Sequence, residues 1–192
     1  MKLTKKEYYK QTLTNLDYSD TTISKVEFED CTFTKCSFLH ITFEKCSFIN
    51  CKFKDCMLSA IEITDSRFLE VSFKNSKVIG MDWTKARKLQ DLSFDDCQLN
   101  HSNFRLLNLP RLKITNSQSH EVDFTQTQLQ EANFKDSDFT KAIFNKTNLS
   151  KASFIDATNY YIDTHQNTVA KAKFSLPEAI NLLQSLDIII EN

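Results

Sequence analysis

The chain has 192 residues, and its 24 Lys and Arg nearly balance its 25 Asp and Glu, for a formal net charge of −1. This balance excludes a nucleic-acid-binding protein of the strongly basic kind, and a hydrophobic content of 41% argues against a disordered chain. No run of sequence approaches the roughly 20 apolar residues that a membrane-spanning helix needs.

Residues 1–12 are expected to form an N-terminal cap. The first six residues, MKLTKK, lead into Glu7 and Tyr8 rather than into an apolar stretch, so no secretory signal peptide is recognised. A cytoplasmic location is therefore expected. The spacing Thr4-x-x-Glu7 predicts a short helix within this cap.

From Leu13 onward a large apolar residue returns at every fifth position, and this rhythm defines residues 13–158. Such a period suits neither a helix nor a strand. The first run is Leu13, Tyr18, Ile23, Phe28, Phe33, Phe38, Phe43, Phe48, Phe53, Leu58, Ile63, Phe68, Phe73, Val78 and Trp83. The second run is Leu89, Phe94, Leu99, Phe104, Leu109, Ile114, Ser119, Phe124, Leu129, Phe134, Phe139, Phe144, Leu149 and Phe154.

A second column, mostly of small or medium side chains, lies two residues before each large one. Two inward residues separated by one outward residue is the geometry of a short strand. The remaining positions are rich in Ser, Thr, Asn, Asp, Lys and Glu, of which the first four favour turns. A chain that turns in the same direction after every short strand forms coils that stack as a solenoid.

The repeated unit resembles the consensus of the pentapeptide-repeat family. Clear copies are Ala132-Asn133-Phe134-Lys135-Asp136, Ser137-Asp138-Phe139-Thr140-Lys141 and Thr147-Asn148-Leu149-Ser150-Lys151. The resemblance implies an all-β fold, a right-handed quadrilateral parallel β-helix with one unit on each side. Four units give about twenty residues per coil, and residues 13–158 then make about seven coils.

The register assigns nearly all Phe and all six Cys to the core. Phe174 alone among the Phe residues lies outside the column of large side chains. The cysteines (Cys31, Cys36, Cys46, Cys51, Cys56 and Cys97) all fall in the column of small inward residues, where a free thiol packs as a small apolar group. No paired spacing suggests zinc. One Gly and two Pro mean that most corners cannot depend on glycine.

Two irregularities interrupt the array. The step from Trp83 to Leu89 is six residues, so the segment Thr84–Lys88 holds one extra residue that should bulge outward. We interpret it as a tolerated insertion at a corner, with a partner contact as the alternative. At Ser119 a polar residue fills a large inward position, which predicts a local packing gap.

Residues 159–192 are expected to be a linker, a helix and a β-prone tail. Ser175-Leu176-Pro177-Glu178 reads as a capping box before an α-helix of about residues 176–186. Either the helix or the tail could seal the last coil or join a second copy of the chain. The candidate dimerisation residues are Leu182, Leu183, Leu186, Ile188 and Ile190.

Nothing in the sequence resembles an active site. There is no glycine-rich phosphate loop and no nucleophile elbow. His40, His101 and His120 fall on one side of the predicted rod, but the pattern fixes no third ligand beside His101 and His120. We therefore predict no catalytic residue, no cofactor and no metal, and we expect a protein that is not an enzyme.

Binding by the outer surface remains. The first coils are acidic, and one face of the N-terminal half has apolar outward residues. The candidate partner-binding residues are Asp17, Asp20, Glu27, Glu29, Asp30, Leu39, Met57 and Ile79.

The chain most resembles the quinolone-resistance and toxin-immunity members of the pentapeptide-repeat family. That resemblance implies a dimeric rod that mimics DNA, binds DNA gyrase or topoisomerase IV, and protects it from quinolones or toxins. It implies a homodimer through the C-terminal region, and neither direct nucleic-acid binding nor a membrane. The alternative is a general protein-interaction scaffold or effector with a different partner, because a fold does not by itself determine function.

Overall fold

The computed structural model describes residues 3–186 and 188, and it is a parallel β-solenoid of about eight turns. Every turn has four short sides, and the corresponding sides of successive turns stack on one another. The solenoid predicted from the five-residue period and the parallel β-helix implied by the resemblance are confirmed, with about one turn more than the sequence suggested.

The stacked sides form four faces, which we number in chain order. Face 1 contains Glu7–Tyr9, Glu27–Glu29, Ser47–Ile49, Arg67–Leu69 and Lys88–Gln90. Face 2 contains Thr12–Thr14, Thr32–Thr34, Lys52–Lys54, Ser72–Lys74, Ser93–Asp95, Lys113–Thr115, Ser153–Phe154 and Lys173–Phe174. Face 3 contains Asp17–Ser19, Ser37–Leu39, Met57–Ser59 and Lys77–Ile79, and face 4 contains Thr22–Ser24 and Thr42–Glu44.

Above these strands the faces continue as isolated bridges between successive turns, such as Gln98 with Gln118 on face 3 and Asn103 with Asp123 on face 4. Two 3-10 helices complete the secondary structure of the described chain, Trp83–Lys85 and Glu178–Leu186. Parallel pairing at a spacing of twenty residues, or twenty-one across the insertion, brings equivalent positions of successive turns into register.

The hydrogen bonds between turns run in both directions along the rod. On face 4, the N–H of Phe43 donates to the carbonyl of Glu62 in the next turn (2.8 Å), and the N–H of Glu62 donates back to the carbonyl of Ile41 (2.9 Å). Each inner turn is therefore bonded to the turn before it and to the turn after it.

The core consists of stacked inward side chains. The Phe33 and Phe53 rings lie 4.5 Å apart with 3° between their planes, and Phe28 and Phe48 lie 5.0 Å apart at 11°. Rings of adjacent faces meet edge to face, as Phe43 and Phe48 do. All six cysteines are buried and unpaired, as the register predicted. This packing follows directly from the two inward residues of each unit.

The corners adopt the left-handed backbone conformation, and Gly80 is the one glycine among them. The corner residue has φ of 52° at Lys35, 55° at Asp55 and 51° at His40. This conformation costs a non-glycine residue about 1–2 kcal/mol. Most corner N–H groups offset part of that cost by bonding to the next turn, as Lys35 does to the carbonyl of Lys54 (3.0 Å).

The short helix expected within the N-terminal cap, from Thr4 to Glu7 onward, is wrong. Glu7–Tyr9 is instead a strand of the first turn and pairs with Glu27–Glu29. The Tyr8 ring stacks on Phe28 at 5.2 Å, because Tyr8 lies one five-residue step before Leu13. The Tyr8 hydroxyl accepts hydrogen bonds from the N–H groups of Thr4 (2.8 Å) and Lys5, and so holds the segment that was expected to be helical.

The solenoid also extends beyond residue 158. Lys173–Phe174 pairs with Ser153–Phe154, and the Phe174 ring stacks on Phe154 at 5.2 Å. Phe174 therefore belongs to the core column from which the sequence analysis excluded it. The five-residue register shifts near Asn159. The buried aromatic residue there is Tyr160, one position later than the five-residue step from Phe154 requires.

The C-terminal helix exists but differs from the expectation. It is a 3-10 helix over Glu178–Leu186 rather than an α-helix from about residue 176. The predicted capping box is not formed, because the Ser175 hydroxyl accepts the N–H of Asp156 (2.7 Å) in the preceding turn. Ser175 thus ties the end of the chain to the rod.

The one-residue insertion forms the 3-10 turn Trp83–Lys85. The Asp82 carboxylate caps this turn by accepting the N–H (3.1 Å) and the hydroxyl (2.6 Å) of Thr84. Thr84 and Lys85 are exposed, as expected for a bulge. Pairing resumes between Arg67 and Lys88, twenty-one residues apart.

Ser119 lies in the core with no compensating hydrogen bond. It is 0% exposed, and its hydroxyl has no partner in the described structure. An unpaired buried hydroxyl is costly, and the position is otherwise filled by large apolar residues such as Leu99 and Phe139 in the neighbouring turns.

We expect Ser119→Leu to stabilise the protein by about 1–3 kcal/mol, because it removes an unpaired hydroxyl and buries an apolar side chain. Thermal unfolding followed by circular dichroism measures the change. The matched control is Ser117→Leu. The Ser117 hydroxyl accepts the N–H of Cys97 (2.9 Å) and donates to the carbonyl of Thr115 (2.6 Å), so this change should destabilise. A lower melting temperature for Ser119→Leu would contradict the prediction.

Candidate partner-binding surfaces

The outward side chains are the candidates for function. Among residues 3–186 and 188, no group of three or more His, Cys, Asp or Glu side chains is placed to hold a metal ion. Within the same residues, no helix has the length and apolar character required to cross a membrane.

The structure divides the predicted acidic group between two opposite faces. Glu27 and Glu29 lie on face 1, where they pair in register with Glu7 and Tyr9. Asp17 lies on face 3, in register with Ser37. The remaining two acids occupy corners: Asp30 follows face 1 and Asp20 follows face 3. The five acids do not form one continuous acidic surface.

Contacts with other side chains of the protein further reduce the negative potential of the predicted acidic residues. Glu27 lies 3.6 Å from the guanidinium of Arg67, and Asp30 accepts a hydrogen bond from the Asn50 amide (2.6 Å). Contacts of this kind between exposed groups contribute little to stability, but they reduce the negative potential that a partner would meet.

The predicted apolar residues do come together on face 3. Leu39 and Ile79 lie on either side of Ser59 in register, and Met57 is on the same strand as Ser59. Met57 is 40% exposed, whereas Leu39 and Ile79 are half-buried. Face 3 therefore offers a short apolar strip over the second to fourth turns.

Face 2 carries a row of lysines that was not predicted from the sequence. Only Asp95 opposes it among the strand residues of this face, and Asp95 pairs with Lys74 at 3.1 Å. A count of charges at the twenty-residue period would have found this row. Its exposed members are Lys52, Lys54, Lys74, Lys113, Lys135 and Lys173.

The histidines are used in surface contacts near the corner of faces 3 and 4. His120 Nε2 lies 2.9 Å from Asp138 Oδ2, and His101 Nδ1 lies 3.5 Å from Glu121. Partial burial acts to raise the pKa of Asp138. Hydrogen bonds from Asn159, Thr140 and His120 more than offset this effect, so the pKa is lowered.

Five of the six buried cysteines have a raised pKa, and Cys36 is the exception. Burial raises the pKa of Cys51 to about 12 and that of Cys97 to about 11. In the stacked pair Cys36 and Cys56, the hydrogen bond with Cys36 and then burial raise the pKa of Cys56, whereas the same hydrogen bond lowers the pKa of Cys36. A thiol with a raised pKa is held in the protonated form and is a weak nucleophile, which agrees with a packing role for the other five cysteines.

The C-terminal helix has two different sides. Leu182 packs against the core and helps to close the last turn. Leu183 is 38% exposed, Leu186 43% and Ile188 53%. Ile190, the remaining candidate for dimerisation, lies outside the described residues.

Two sequence models match the chain. One, described as a pentapeptide repeat region, matches residues 26–104. The other, described as pentapeptide repeats in eight copies, matches residues 120–154. Among curated protein sequences there is no significant match.

The chain is also similar to two solved structures of trypsin-treated QnrB1, described as a plasmid-mediated fluoroquinolone resistance protein. The first is 17% identical, with a TM-score of 0.66, over 97% of this chain and 92% of that one. The second is 15% identical, with a TM-score of 0.68, over 94% of this chain and 100% of that one. At this level of identity the likeness establishes a shared fold.

Proposed function

Because this chain belongs to the pentapeptide repeat family, we propose that it is a non-enzymatic protein that works by binding a protein partner along the outside of its rod. The observation that carries this proposal is the architecture itself. The rod has a packed interior of rings and small side chains, so its variable chemistry lies entirely on the four faces.

Our first candidate partner is a type II topoisomerase, either DNA gyrase or topoisomerase IV, in the cytoplasm. The likeness in fold to QnrB1 supports this candidate, because QnrB1 is described as a fluoroquinolone resistance protein and aligns with nearly the whole chain. The acids Glu7, Glu27 and Glu29 at the start of face 1 also support it, since a protein that mimics DNA must present negative charge to a basic surface.

A specific observation favours a second candidate function, that of a general protein-interaction scaffold or effector. The acidic residues are split between opposite faces, and face 2 carries the row of exposed lysines. A protein that mimics DNA along its whole length would be expected to carry a sustained negative face. The apolar strip around Met57 on face 3 suits a partner that is recognised by apolar contact instead.

We further propose that two copies join through the C-terminal helix. The exposed side chains of Leu183, Leu186 and Ile188 would be covered in such a dimer, together with Ile180, which is 44% exposed. Size-exclusion chromatography with light scattering tests this point. A monomer at all accessible concentrations would contradict it.

The topoisomerase proposal is tested by a DNA supercoiling assay with purified gyrase and a fluoroquinolone. We expect the wild-type protein to restore supercoiling in the presence of the drug at micromolar concentration. The variant Glu27→Lys with Glu29→Lys reverses the charge on face 1 and is expected to reduce the rescue about tenfold or more. Glu70→Lys, at an exposed corner, is the control.

No inhibition and no rescue by a folded wild-type protein would contradict the topoisomerase proposal. A stoichiometric complex with another protein that depends on Met57 would then support the scaffold. The topoisomerase proposal therefore predicts that binding depends on Glu27, whereas the scaffold proposal predicts that binding depends on Met57.

A further inference from the structure

A notch with a volume of about 580 Å³ opens between the third and fourth turns, where faces 3 and 4 meet. Its lining includes Ala60, Ile61, Glu62, Gly80, Asp82 and Lys85. It lies beside the apolar strip of face 3 and includes Lys85 from the inserted segment.

The notch arises from the one-residue insertion. Elsewhere on face 4 the ladder follows a fixed pattern, in which Phe43 N–H donates to Glu62. The same pattern would direct Ile63 N–H to the carbonyl of Asp82. That carbonyl instead accepts the N–H of Lys85 (3.3 Å), because the inserted residue forms the turn Trp83–Lys85.

At the notch, three main-chain groups have no hydrogen-bond partner among the described residues. They are the N–H groups of Ile63 and Asp82 and the carbonyl of Ile61. Ile61 is only 3% exposed and lines the notch. Unpaired polar backbone groups at buried positions are rare and costly. The break in the ladder therefore leaves one acceptor at the base of the notch.

Small residues keep the notch open at its corner. At this corner the other turns carry larger residues, such as His40, His101 and Glu121, whereas the third and fourth turns have Ala60 and Gly80. Gly80 has φ of 67°, and a Cβ atom added to it would meet no atom within 4 Å. A group from outside can therefore approach the main chain here.

The charge of the lining is set by two carboxylates. Glu62 has no ion pair among the described residues, and Asp82 uses only Oδ1 for Thr84 and Asn103 (3.1 Å to the Asn103 amide). The second oxygen of Asp82 and both oxygens of Glu62 remain available as acceptors. Lys85 is the one cation among the lining residues.

We propose that this notch binds the guanidinium group of one arginine side chain exposed on a protein partner. Two carboxylates and one unpaired carbonyl are acceptors, and a guanidinium supplies five N–H donors in a planar fork. The small corner residues allow the partner's backbone to come close. This inference rests on the proposal that the chain binds a protein, but not on which protein it binds.

The test is a titration of the ¹⁵N-labelled protein with the peptide acetyl-Gly-Arg-Gly-amide, followed by NMR. Gly80 is the only glycine of the chain, so its amide signal reports on the notch in an uncrowded part of the spectrum. We expect a saturable shift of the Gly80 signal with a Kd on the order of 1–10 mM, as suits one isolated side chain.

Three comparisons sharpen the test. The same peptide with citrulline in place of arginine keeps the shape and removes the charge, and should give no saturable shift. The double variant Glu62→Gln with Asp82→Asn, which keeps the Oδ1 cap of the turn, should lose binding about tenfold. Lys85→Ala should tighten binding about twofold to fivefold, because it removes the competing cation.

Glu70→Gln is the control for a general loss of negative charge and should leave the affinity unchanged. An unshifted Gly80 signal, equal shifts with citrulline, or equal affinities for the double variant and the control would each overturn the proposal. The titration contains no topoisomerase, so its failure and a failure of drug rescue are separate results.

Discussion

Replacing Phe43 with Asp is expected to abolish cooperative folding of the central turns. Phe43 is 2% exposed, and its ring lies 5.5 Å from Phe38 and 5.1 Å from Phe48. Loss of the ring alone costs about 3–5 kcal/mol, and a carboxylate at this position has no partner that would repay its desolvation. Circular dichroism during heating should show a lost or strongly lowered transition.

The control is the next residue in the chain. Glu44 has an exposed side chain whose nearest cation is Lys45 at 3.8 Å, and an exposed contact of this kind is worth about 0–1 kcal/mol. Glu44→Lys should therefore leave the melting temperature nearly unchanged. Similar losses of stability for the two variants would mean that the five-residue register is misassigned.

Substitutions of Trp83 are expected to show that the shape of its side chain, rather than its polar N–H, stabilises the core at the insertion. It is 0% exposed and lies against Phe68, Phe73, Phe94 and Phe104, with ring centroids 5.5–6.0 Å apart. Trp83→Ala should cost about 3–5 kcal/mol. Trp83→Phe should stay within about 1 kcal/mol of wild type, because the indole N–H has no hydrogen-bond partner to lose.

Chemical denaturation followed by far-ultraviolet circular dichroism measures both variants, since Trp83 is the only tryptophan and its fluorescence disappears with it. Equal losses for Ala and Phe would contradict this account. Such a result would indicate that the indole N–H makes a contact on which the 3-10 turn depends.

The fold could be predicted because each side of the solenoid takes five residues, so the period of the sequence equals the length of one side. Phe33 and Phe53 are twenty residues apart in sequence and stacked at 4.5 Å in space, so one inward residue per unit was enough to assign the column. The insertion was also visible, since Trp83 and Leu89 keep the inward pattern on both sides of it.

The ends of the rod were less predictable because the sequence pattern at each end is compatible with two different structures. Thr4-x-x-Glu7 is compatible with a helix start, but the burial of Tyr8 against Phe28 determines the outcome. At the other end, Ser175 could cap a helix or bond to the preceding turn, and the structure has the second contact. Tertiary contacts determine both cases, and local sequence patterns do not include them.

The binding surfaces were only partly predictable. The apolar strip around Met57 followed from the register, whereas the acids were expected to act together and lie on opposite faces. The notch at Glu62 and Asp82 could not be foreseen at all. It depends on the carbonyl of Asp82, which accepts the N–H of Lys85 in its own turn rather than an N–H of the preceding turn.

The directions of the hydrogen bonds between turns determine whether the backbone gives the rod an electrical polarity along its axis. In an α-helix all peptide dipoles point the same way and give its ends opposite partial charges. Here a typical unit directs two main-chain N–H groups to the next turn and one to the previous turn: Phe43 donates to Glu62 (2.8 Å) and Lys45 to Thr64 (2.9 Å), whereas Thr42 donates to Thr21 (3.0 Å). The opposed dipoles therefore cancel only in part. The excess N–H groups point toward the C-terminal end of the rod, which gains a partial positive charge, opposite to the polarity of an α-helix.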